Sequence, residues 1–523
     1  MSDAKPLGLG RSVVAALAGV SILAAVGLTA FRTLRTFPGF SITGDALLYG
    51  ELARNLLAGR GFVSDFIYPV SLAYPFLQGI PQPHTLYGPG YPAVLAGFFA
   101  AFGADDLVIV AANLAIFVLM LPVVFVLARR LFGPAGAWLA TLLLTLDKTV
   151  VASIQNGGTE VLSMGLVLVG AILVVEAPRA PKAAAAGVVF GLAYLTRPNL
   201  ASLAPFVLLH LWRLGSARMM GPFLAGGLVV AAPWLVRTWV VTGQPLFSLY
   251  LVANLAFDSP AFPGLVATFG TLTPRGLEVM VREFPVDLLQ KLRGNLLYYV
   301  RQAFFTVNPV LMASFVVAVF SIPSTRRSQR LLVDLLGAWL VATIVVASLI
   351  AKEPRYLAPF APVIVVIATG WVIENLSRLE FDPARRRALV GILAVALVGL
   401  PLVKITYDWT LRPAPARFRD PNIAAVGRLT DREDVIVSDI GRGLTWYLRR
   451  RTLQAPIDRQ TLDRIDREIL PVSAIYLSGA AATRWRQMFG QDGFSPKAYA
   501  PDRFMLVEAF ADGGLLYRRR GTP

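Results

Sequence analysis

Ser41-Ile-Thr-Gly-Asp45-Ala-Leu-Leu-Tyr49-Gly-Glu51-Leu-Ala-Arg54-Asn-Leu-Leu-Ala-Gly59 is the stretch around which the chain is organised. Its periodicity predicts a short amphipathic helix from Asp45 to Ala58. One stripe holds Leu48, Leu52, Ala53 and Leu56, and the other faces hold Asp45, Glu51, Arg54 and Asn55. Gly59 and Gly61 are expected to end the helix. Asp45 falls in the first turn, where the helix dipole favours an ionised carboxylate able to accept a proton; a simple helix cap is the alternative.

The composition is that of a polytopic membrane protein. Of 523 residues, 56% are hydrophobic and 15% are charged. The absence of cysteine excludes disulfides, thiol nucleophiles and zinc-thiolate sites, and two histidines leave little for a histidine-based metal centre. A net charge of +17 is attributed to basic cytoplasmic loops and contacts with lipid headgroups rather than to nucleic acid.

The apolar runs predict a polytopic α-helical protein with about 11 spans, within a range of about 9 to 13. A first span over 12 to 32 is expected to be retained, since no convincing cleavage site follows it. The other spans are expected near residues 107 to 128, 135 to 152, 159 to 177, 183 to 197, 199 to 213, 219 to 241, 303 to 322, 331 to 351, 357 to 375 and 387 to 408. The short basic loops then fall on one side, which the positive-inside rule makes the cytoplasm. The apolar piece Ala93–Phe102 is too short to cross and is placed at the outer interface.

This topology puts the N-terminus inside and three large segments outside: residues 33–106, residues 242–302, and the chain after about 409. We therefore predict a membrane module over 1–408 and an extracytoplasmic domain over 409–523. Within the latter, Asp434–Asp439, Ala474–Leu477, Met505–Phe510 and Gly514–Arg518 have the pattern of strands. Leu444–Arg450 has the pattern of a helix, so a small α/β domain is expected.

Two motifs on the outer side are suited to a lipid-linked sugar. His84-Thr-Leu-Tyr87-Gly-Pro-Gly-Tyr91-Pro92 is a rigid turn whose aromatic faces suit a sugar ring, or else anchor the turn in the interface. Lys352-Glu353-Pro354-Arg355-Tyr356 joins two spans. Its cations suit a lipid-linked phosphate, and Arg355 is able to bind two phosphoryl oxygens at once; basic residues that merely snorkel are the alternative.

Further charged residues lie near the outer ends of spans. Arg197 and Arg237 are either additional phosphate partners or interfacial anchors. Asp147 and Glu160 lie at an outer loop. A second carboxylate there is a candidate to bind a divalent cation together with Asp45 or to orient an acceptor.

The order and spacing of these motifs resemble the GT-C superfamily of membrane glycosyltransferases. The residues that carry the resemblance are Gly44-Asp45-x-x-x-Tyr49, then Tyr87-Gly-Pro-Gly-Tyr91-Pro92, and much later Glu353-Pro-Arg355-Tyr356-Leu-x-Pro359. They are most similar to the bacterial group that includes the lipid A aminoarabinose transferase and the rhizobial lipopolysaccharide galacturonosyltransferases, and more distantly the protein O-mannosyltransferases. The resemblance covers roughly residues 10 to 410.

The resemblance implies an inverting transferase in the bacterial inner membrane, with a polyprenyl-phosphate-linked sugar as donor and an extracytoplasmic lipid, glycan or protein as acceptor. It maps the catalytic base onto Asp45 and the donor-phosphate site onto Arg355, with Lys352, Arg197 and Arg237 as further candidates. The expected substrate-binding residues are Tyr49, His84, Tyr87, Tyr91, Tyr356 and Glu353. Ala46 follows Asp45 where the protein mannosyltransferases carry an Asp-Glu pair. No metal requirement is therefore carried over, and a divalent cation stays only a possible cofactor.

Two other functions fit a membrane protein of this kind. A transporter or flippase of lipid-linked saccharides would carry charged residues at mid-membrane and broken helices, whereas the predicted spans are nearly free of charge at their centres. A polysaccharide polymerase or ligase would share the lipid-linked donor but rely on one large external loop with arginines.

Overall fold

The computed structural model describes residues 19–24, 26–27, 29–30, 44–175, 178–256, 258–264, 268–323, 327–378, 382–399, 401–403 and 420–521. Most of the predicted first span, and Ser41 to Thr43, lie outside these residues. Up to residue 403 the helices are α1 Gly44–Leu57, α2 Gly90–Phe102, α3 Asp106–Leu146, α4 Lys148–Asn156, α5 Glu160–Val174, α6 Ala180–Thr196, α7 Ala204–Arg213, α8 Met220–Thr242, α9 Leu249–Asn254, α10 Leu277–Glu283, α11 Pro285–Ala303, α12 Pro309–Ser321, α13 Arg327–Ile350, α14 Ala361–Arg378 and α15 Pro383–Ala394. Short 3-10 turns add Pro69–Ala73, Pro75–Leu77, Pro198–Leu203, Ala217–Met219, Pro354–Tyr356 and Ala358–Phe360, and a π-turn spans Val395–Gly399.

Four helical segments in the described part of the chain are long and apolar enough to cross a membrane: Asp106–Leu146, Ala217–Thr242, Arg327–Ile350 and Pro354–Leu376. Shorter apolar helices, among them α5, α6 and α12, pack with them around the largest hydrophobic core of the molecule. The count of about 11 spans stays a prediction. At Gly133 the backbone leaves the helical region with a φ of 76°, so α3 consists of two helices meeting at a kink. The second of these ends at Leu146, so the predicted span over 135 to 152 is wrong in its outer part, where Asp147 caps the separate helix α4.

Helix α1 forms where it is predicted, but its polar face is buried as well as its apolar face. Gly59 and Gly61 follow it with φ of 71° and 81°, a region that glycine enters without strain. Glu51 and Asn55, expected away from the apolar stripe, are buried, whereas Leu56 is half-buried. The expectation for these two side chains is wrong. Glu51 accepts hydrogen bonds from Asn55, from the Ser64 hydroxyl at 2.7 Å and from the backbone amide of Asp65. Protein therefore covers the polar face of α1 as well.

The second core lies under a six-stranded mixed sheet. Its strands are β2 Phe66–Ile67, β4 Val435–Ser438, β5 Arg451–Gln454, β6 Ala474–Leu477, β7 Phe504–Ala509 and β8 Leu515–Arg519, in the order β2-β5-β4-β6-β8-β7. The first four strands in this order run parallel to one another. Strand β8 is antiparallel to both of its neighbours, β6 and β7. A separate ribbon pairs β1 Val63–Ser64 with β3 Gln82–Pro83. The connecting helices are α16 Ile423–Arg428, α17 Gly441–Leu448, α18 Arg459–Arg464, α19 Ala481–Phe489 and α20 Pro496–Tyr499.

Strand β2 comes from the first loop, residues 33–106, and pairs in parallel with β5, Phe66 lying opposite Thr452. The sequence pattern placed all the strands of this sheet in the C-terminal segment, whereas the structure adds β2 from the first loop. The predicted boundary between residues 408 and 409 falls outside the described residues, and the division into two domains stays a prediction.

Helix α17 fastens this sheet to α1 and α3. Trp446 and Tyr447 donate hydrogen bonds to the two carboxylate oxygens of Asp106, at 2.5 Å and 2.7 Å. Arg54 of α1 donates to the carbonyls of Thr445 and Trp446 and lies over the Trp446 ring. These contacts hold the second half of α17 against the last turn of α1 and the first turn of α3.

Candidate functional site

Asp45 lies in the first turn of α1, and both of its carboxylate oxygens are bound by cations. Arg355 Nη1 lies 2.7 Å from Oδ2, and Arg442 Nη1 lies 2.8 Å from Oδ1. The Tyr87 hydroxyl also donates to Oδ1, at 2.8 Å. Only 13% of the Asp45 side chain is exposed, so these contacts are largely shielded from water. The structure thus joins three residues that are far apart in the sequence.

The pKa of Asp45 is set by opposing effects. Burial alone would raise it, because a carboxylate loses hydration inside protein. The charges of Arg355 and Arg442, with the hydrogen bonds from Arg355 and Tyr87, outweigh burial and hold the pKa well below its usual range. Asp45 is therefore ionised at any physiological pH, as its place in the first helical turn predicts.

Arg355 is presented by the 3-10 turn Pro354–Tyr356, and its neighbours fix both backbone and side chain. Arg197 Nη1 donates to the Arg355 carbonyl at 3.1 Å, and Arg197 Nη2 binds Glu160 Oε1 at 3.0 Å. Arg355 Nη1 lies 3.9 Å from the same Glu160 oxygen, and Arg355 Nε lies 3.4 Å from Glu353 Oε2. From α11, the Tyr299 hydroxyl accepts a hydrogen bond from the Glu353 amide. The turn is rigid, whereas the guanidinium is 31% exposed to the space in front of it.

That space consists of two cavities that share Asp45, Arg355, Tyr87 and Tyr250. One has a volume of about 390 Å³, and we call it the polar cavity because its wall includes Arg442, Glu160, Glu353, Asn156 and Asn254. The other has a volume of about 300 Å³, and we call it the apolar cavity because its wall includes Trp234, Phe247, Leu251, Val346 and Ile350. Asp45 and Arg355 line both cavities, so they lie where the polar cavity meets the apolar cavity.

A carboxylate oxygen on the wall of the polar cavity has no hydrogen-bond partner. Glu160 is buried, and its Oε2 makes no hydrogen bond while Oε1 binds Arg197. A buried carboxylate oxygen left without a donor among the described residues is costly. Sequence reasoning placed Glu160 only loosely, as a second carboxylate at an outer loop.

The carboxylates do not form a metal site. Arg355 lies between Asp45 and Glu160 and contacts both, so a cationic side chain already occupies the position that a bridging cation would take. Within the part of the chain that the structure describes, no group of three or more His, Cys, Asp or Glu side chains is placed to hold a metal ion. The donor set therefore does not fit a resident divalent cation bound by Asp45 and a second carboxylate.

Of the residues predicted from the sequence, Asp45, Arg355, Tyr87, Tyr49, Tyr356, Glu353 and Arg197 line one or both cavities. The structure places four others elsewhere. Arg237 donates to the carbonyls of His84 and Phe62, at 2.7 Å and 3.1 Å, and stacks on Trp234, so it braces the first loop.

His84 is buried behind the turn, where its Nε2 accepts from the Tyr87 amide at 3.1 Å. Burial and the charge of Arg237 lower the pKa of His84 to about 3, so its ring is neutral. Tyr91 is fully buried, and its hydroxyl donates to Asn113 Oδ1 and to the carbonyl of residue 157. Lys352 faces Asp258 at 3.4 Å on the surface. Direct substrate contact is not supported by these positions.

Two residues of the site were missed by sequence reasoning. Arg442 follows the strand Val435–Ser438 and starts α17, but a basic residue at the start of a predicted helix carries no signal that it reaches another segment. Tyr250 of α9 bonds to Tyr356 through their hydroxyls and lines both cavities. In the sequence it is one aromatic among many near a span end.

Comparison with known proteins gives a family match over part of the chain. Residues 83–239 match the dolichyl-phosphate-mannose-protein mannosyltransferase family, a range that includes the Tyr87 turn and Arg197. A comparison with curated proteins finds no match.

Solved structures resemble the chain over nearly its whole length. The crystal structure of ArnT from Cupriavidus metallidurans bound to undecaprenyl phosphate is 14% identical, with a TM-score of 0.56 and 98% of each chain covered. An oligosaccharyltransferase from Archaeoglobus fulgidus, in complex with Zn and sulfate, is 13% identical with a TM-score of 0.58, over 95% of this chain and 73% of its own. The same organism's AglB in complex with an inhibitory peptide and a dolichol-phosphate is 11% identical with a TM-score of 0.55, over 89% and 69%. These findings support the resemblance drawn from the sequence: the chain shares the fold of these proteins over nearly its whole length, and residues 83–239 match a family of membrane glycosyltransferases.

Proposed function

We propose that this protein transfers a sugar from a polyprenyl-phosphate donor to an extracytoplasmic acceptor, with inversion at the anomeric carbon. The observation that carries the proposal is the direct contact between Asp45 and Arg355 at the junction of a polar and an apolar cavity. A base and a phosphate-binding cation side by side are what this reaction requires.

The apolar cavity suits the first isoprene units of the donor. Its aromatic and aliphatic walls would take the chain, while Arg355 and Arg197 on the same wall would take the phosphate. ArnT was crystallised with undecaprenyl phosphate and AglB with dolichol-phosphate, which supports a lipid phosphate as the ligand of this fold. The sugar would then project into the polar cavity, whose wall includes the polar side chains of Asn156, Asn254 and Glu353.

The reaction follows from this arrangement. An acceptor oxygen attacks the anomeric carbon, the bond from that carbon to the phosphate oxygen breaks, and the acceptor proton passes to Asp45. The departing phosphate gains negative charge, which the guanidinium of Arg355 stabilises. No acid is needed on the leaving group, since a phosphate leaves as an anion. The acceptor is a hydroxyl-bearing lipid, glycan or protein on the outer face of a bacterial inner membrane.

Binding of the donor's phosphate can be tested without knowing the sugar. Undecaprenyl phosphate should raise the melting temperature of the purified protein in detergent, whereas undecaprenol, which lacks the phosphate, should raise it much less. Arg355→Gln should abolish the difference between the two lipids. Equal stabilisation by both lipids in the wild type would contradict the phosphate site.

Transfer itself requires a panel of polyprenyl-phosphate sugars and a cell-envelope extract as source of acceptor. Purified wild type should release polyprenyl phosphate and label an acceptor from at least one donor. If it binds undecaprenyl phosphate but moves the lipid across a vesicle membrane instead, a flippase would replace the transferase.

A further inference from the structure

We propose that Arg442 is a positioning residue of the Asp45 site, which holds the carboxylate ionised and in place once Arg355 has turned to the donor phosphate. The inference rests on the proposed function, in which Arg355 binds that phosphate. A residue next to the six-stranded sheet would then act on the proposed base, since Arg442 of α17 contacts Asp45.

The two oxygens of Asp45 are divided between two sets of partners. Oδ2 belongs to Arg355, and Oδ1 belongs to Arg442 and Tyr87. A base needs one oxygen available to the acceptor while the other fixes its direction. If the donor phosphate draws Arg355 away, Oδ2 becomes available and Oδ1 stays bound by Arg442 and Tyr87.

The cavities separate the tasks of the two arginines. Arg355 lines both cavities and so faces the apolar one, where the lipid would lie. Arg442 lines only the polar cavity, on the side of Asp45 away from the lipid. A donor phosphate therefore competes for Arg355 and leaves Arg442 with Asp45.

Arg442 is itself fixed. Its Nη2 donates to the Tyr68 hydroxyl, and its guanidinium lies 5.4 Å and 5.7 Å from the ring centres of Tyr68 and Phe66. It passes so close to Gly44 that a Cβ there would lie 2.9 Å from Nη1 and 3.3 Å from Cδ. The docking of α17 through Trp446 sets the position of its backbone. These contacts leave the guanidinium little freedom to follow Arg355.

A second cation is required because of the charges and the burial around Asp45. The ionisable groups around it include Arg355 and Glu353 from the turn after α13, Arg442 from α17, Glu160 from α5, Arg197 after α6, Tyr250 of α9, Tyr87 from the turn before α2, and Tyr49 of α1. With Arg355 engaged by phosphate, burial and the two glutamates both favour a protonated Asp45, which cannot accept a proton. Arg442 is the cation that remains in contact.

The test is the pH dependence of kcat at saturating donor, when Arg355 is engaged, because kcat reports the ionisation of the enzyme–substrate complex. Arg442→Gln should move the acid limb of the profile up by about one to three pH units, the effect of one arginine on an adjacent aspartate, so that kcat falls most on the acid side. Arg442→Lys keeps the charge and should keep the acid limb within about one unit of the wild type. Arg451→Gln is the matched control, since Arg451 belongs to the same sheet and pairs with Glu433, which is 78% exposed.

An acid limb in Arg442→Gln that coincides with that of the wild type overturns the proposal, whatever the drop in rate, because a purely structural role lowers the rate equally at every pH. If Arg442→Gln does not fold, Gly44→Ala tests the same point, since its methyl group displaces the guanidinium from Asp45. An unshifted acid limb in a folded Gly44→Ala likewise overturns it. Failure of wild type to transfer sugar would instead refute the proposed function, so the two failures are distinguishable.

Discussion

Asp45→Asn removes the base while keeping the shape of the side chain. Loss of a general base costs about 10²- to 10⁴-fold in kcat, or about 3 to 5 kcal/mol. The amide oxygen still accepts from Tyr87 and Arg442, but the amide nitrogen would face Arg355 Nη1 at the 2.7 Å now spanned by an ion pair. Two donors at that distance repel, so Arg355 should turn towards Glu353 and the cavity. A hydrogen bond to a charged group is worth about 1.5 to 3 kcal/mol. Arg355 is 31% exposed, so solvent screening limits the resulting gain in phosphate affinity to about tenfold.

The expected result is therefore an enzyme that turns over at least about 100-fold more slowly yet binds undecaprenyl phosphate as tightly as the wild type or more tightly. Transfer is followed with a labelled polyprenyl-phosphate sugar, and binding is followed by the thermal shift with undecaprenyl phosphate. Asp258→Asn is the control, because Asp258 pairs with Lys352 on the surface and its φ of 52° suits asparagine. Retention of more than a tenth of the wild-type rate would refute Asp45 as the base. Much weaker phosphate binding would refute the competition for Arg355.

Three further changes have defined outcomes. Gly44→Ala should lower kcat on the acid side of the pH profile with little change in melting temperature, because the methyl group meets side-chain atoms of Arg442 rather than backbone; a wild-type profile would contradict the role of that arginine. Gly88→Ala should destabilise the protein by about 1 to 3 kcal/mol, read as a lower melting temperature, since its Cβ would lie 2.2 Å from the Leu195 carbonyl oxygen; an unchanged melting temperature would contradict this close approach. Burial raises the pKa of Glu51 from 4.5 to about 7, so the unfolded state loses its proton first and stability falls as pH rises from about 4.5 to 7, by on the order of 3 kcal/mol. Melting curves against pH should show this loss in wild type and not in Glu51→Gln; equal slopes would refute it.

The parts of the site that the sequence predicts are those with local signals. The leucine spacing and the two glycines define α1 and so place Asp45 at a helix start. The Pro354 turn between two apolar runs places Arg355 at a span end. Both were assigned to the outer side, which left their contact open, and the family resemblance supplied their roles.

What the sequence does not predict is the destination of long polar side chains. Arg237 and Arg355 look alike near span ends, yet one binds backbone carbonyls and the other binds a carboxylate. The sequence pattern places Glu51 on the solvent face. Its burial is possible because the carboxylate accepts hydrogen bonds inside the protein, among them one from the Ser64 hydroxyl. Arg442 is the extreme case, because its partner lies 397 positions earlier in the chain.

The pairing of β2 with β5 has a consequence for the newly made protein. Phe66 and Ile67 leave the ribosome long before Thr452 and Leu453, the residues that they pair with, have been synthesised. During that interval β2 has no neighbouring strand in the six-stranded sheet, and Asp45 has only Arg355 or neither arginine beside it. Competence for the proposed chemistry should therefore appear late in biosynthesis, when the last strands have closed the sheet, so that an unfinished chain does not consume lipid-linked sugar.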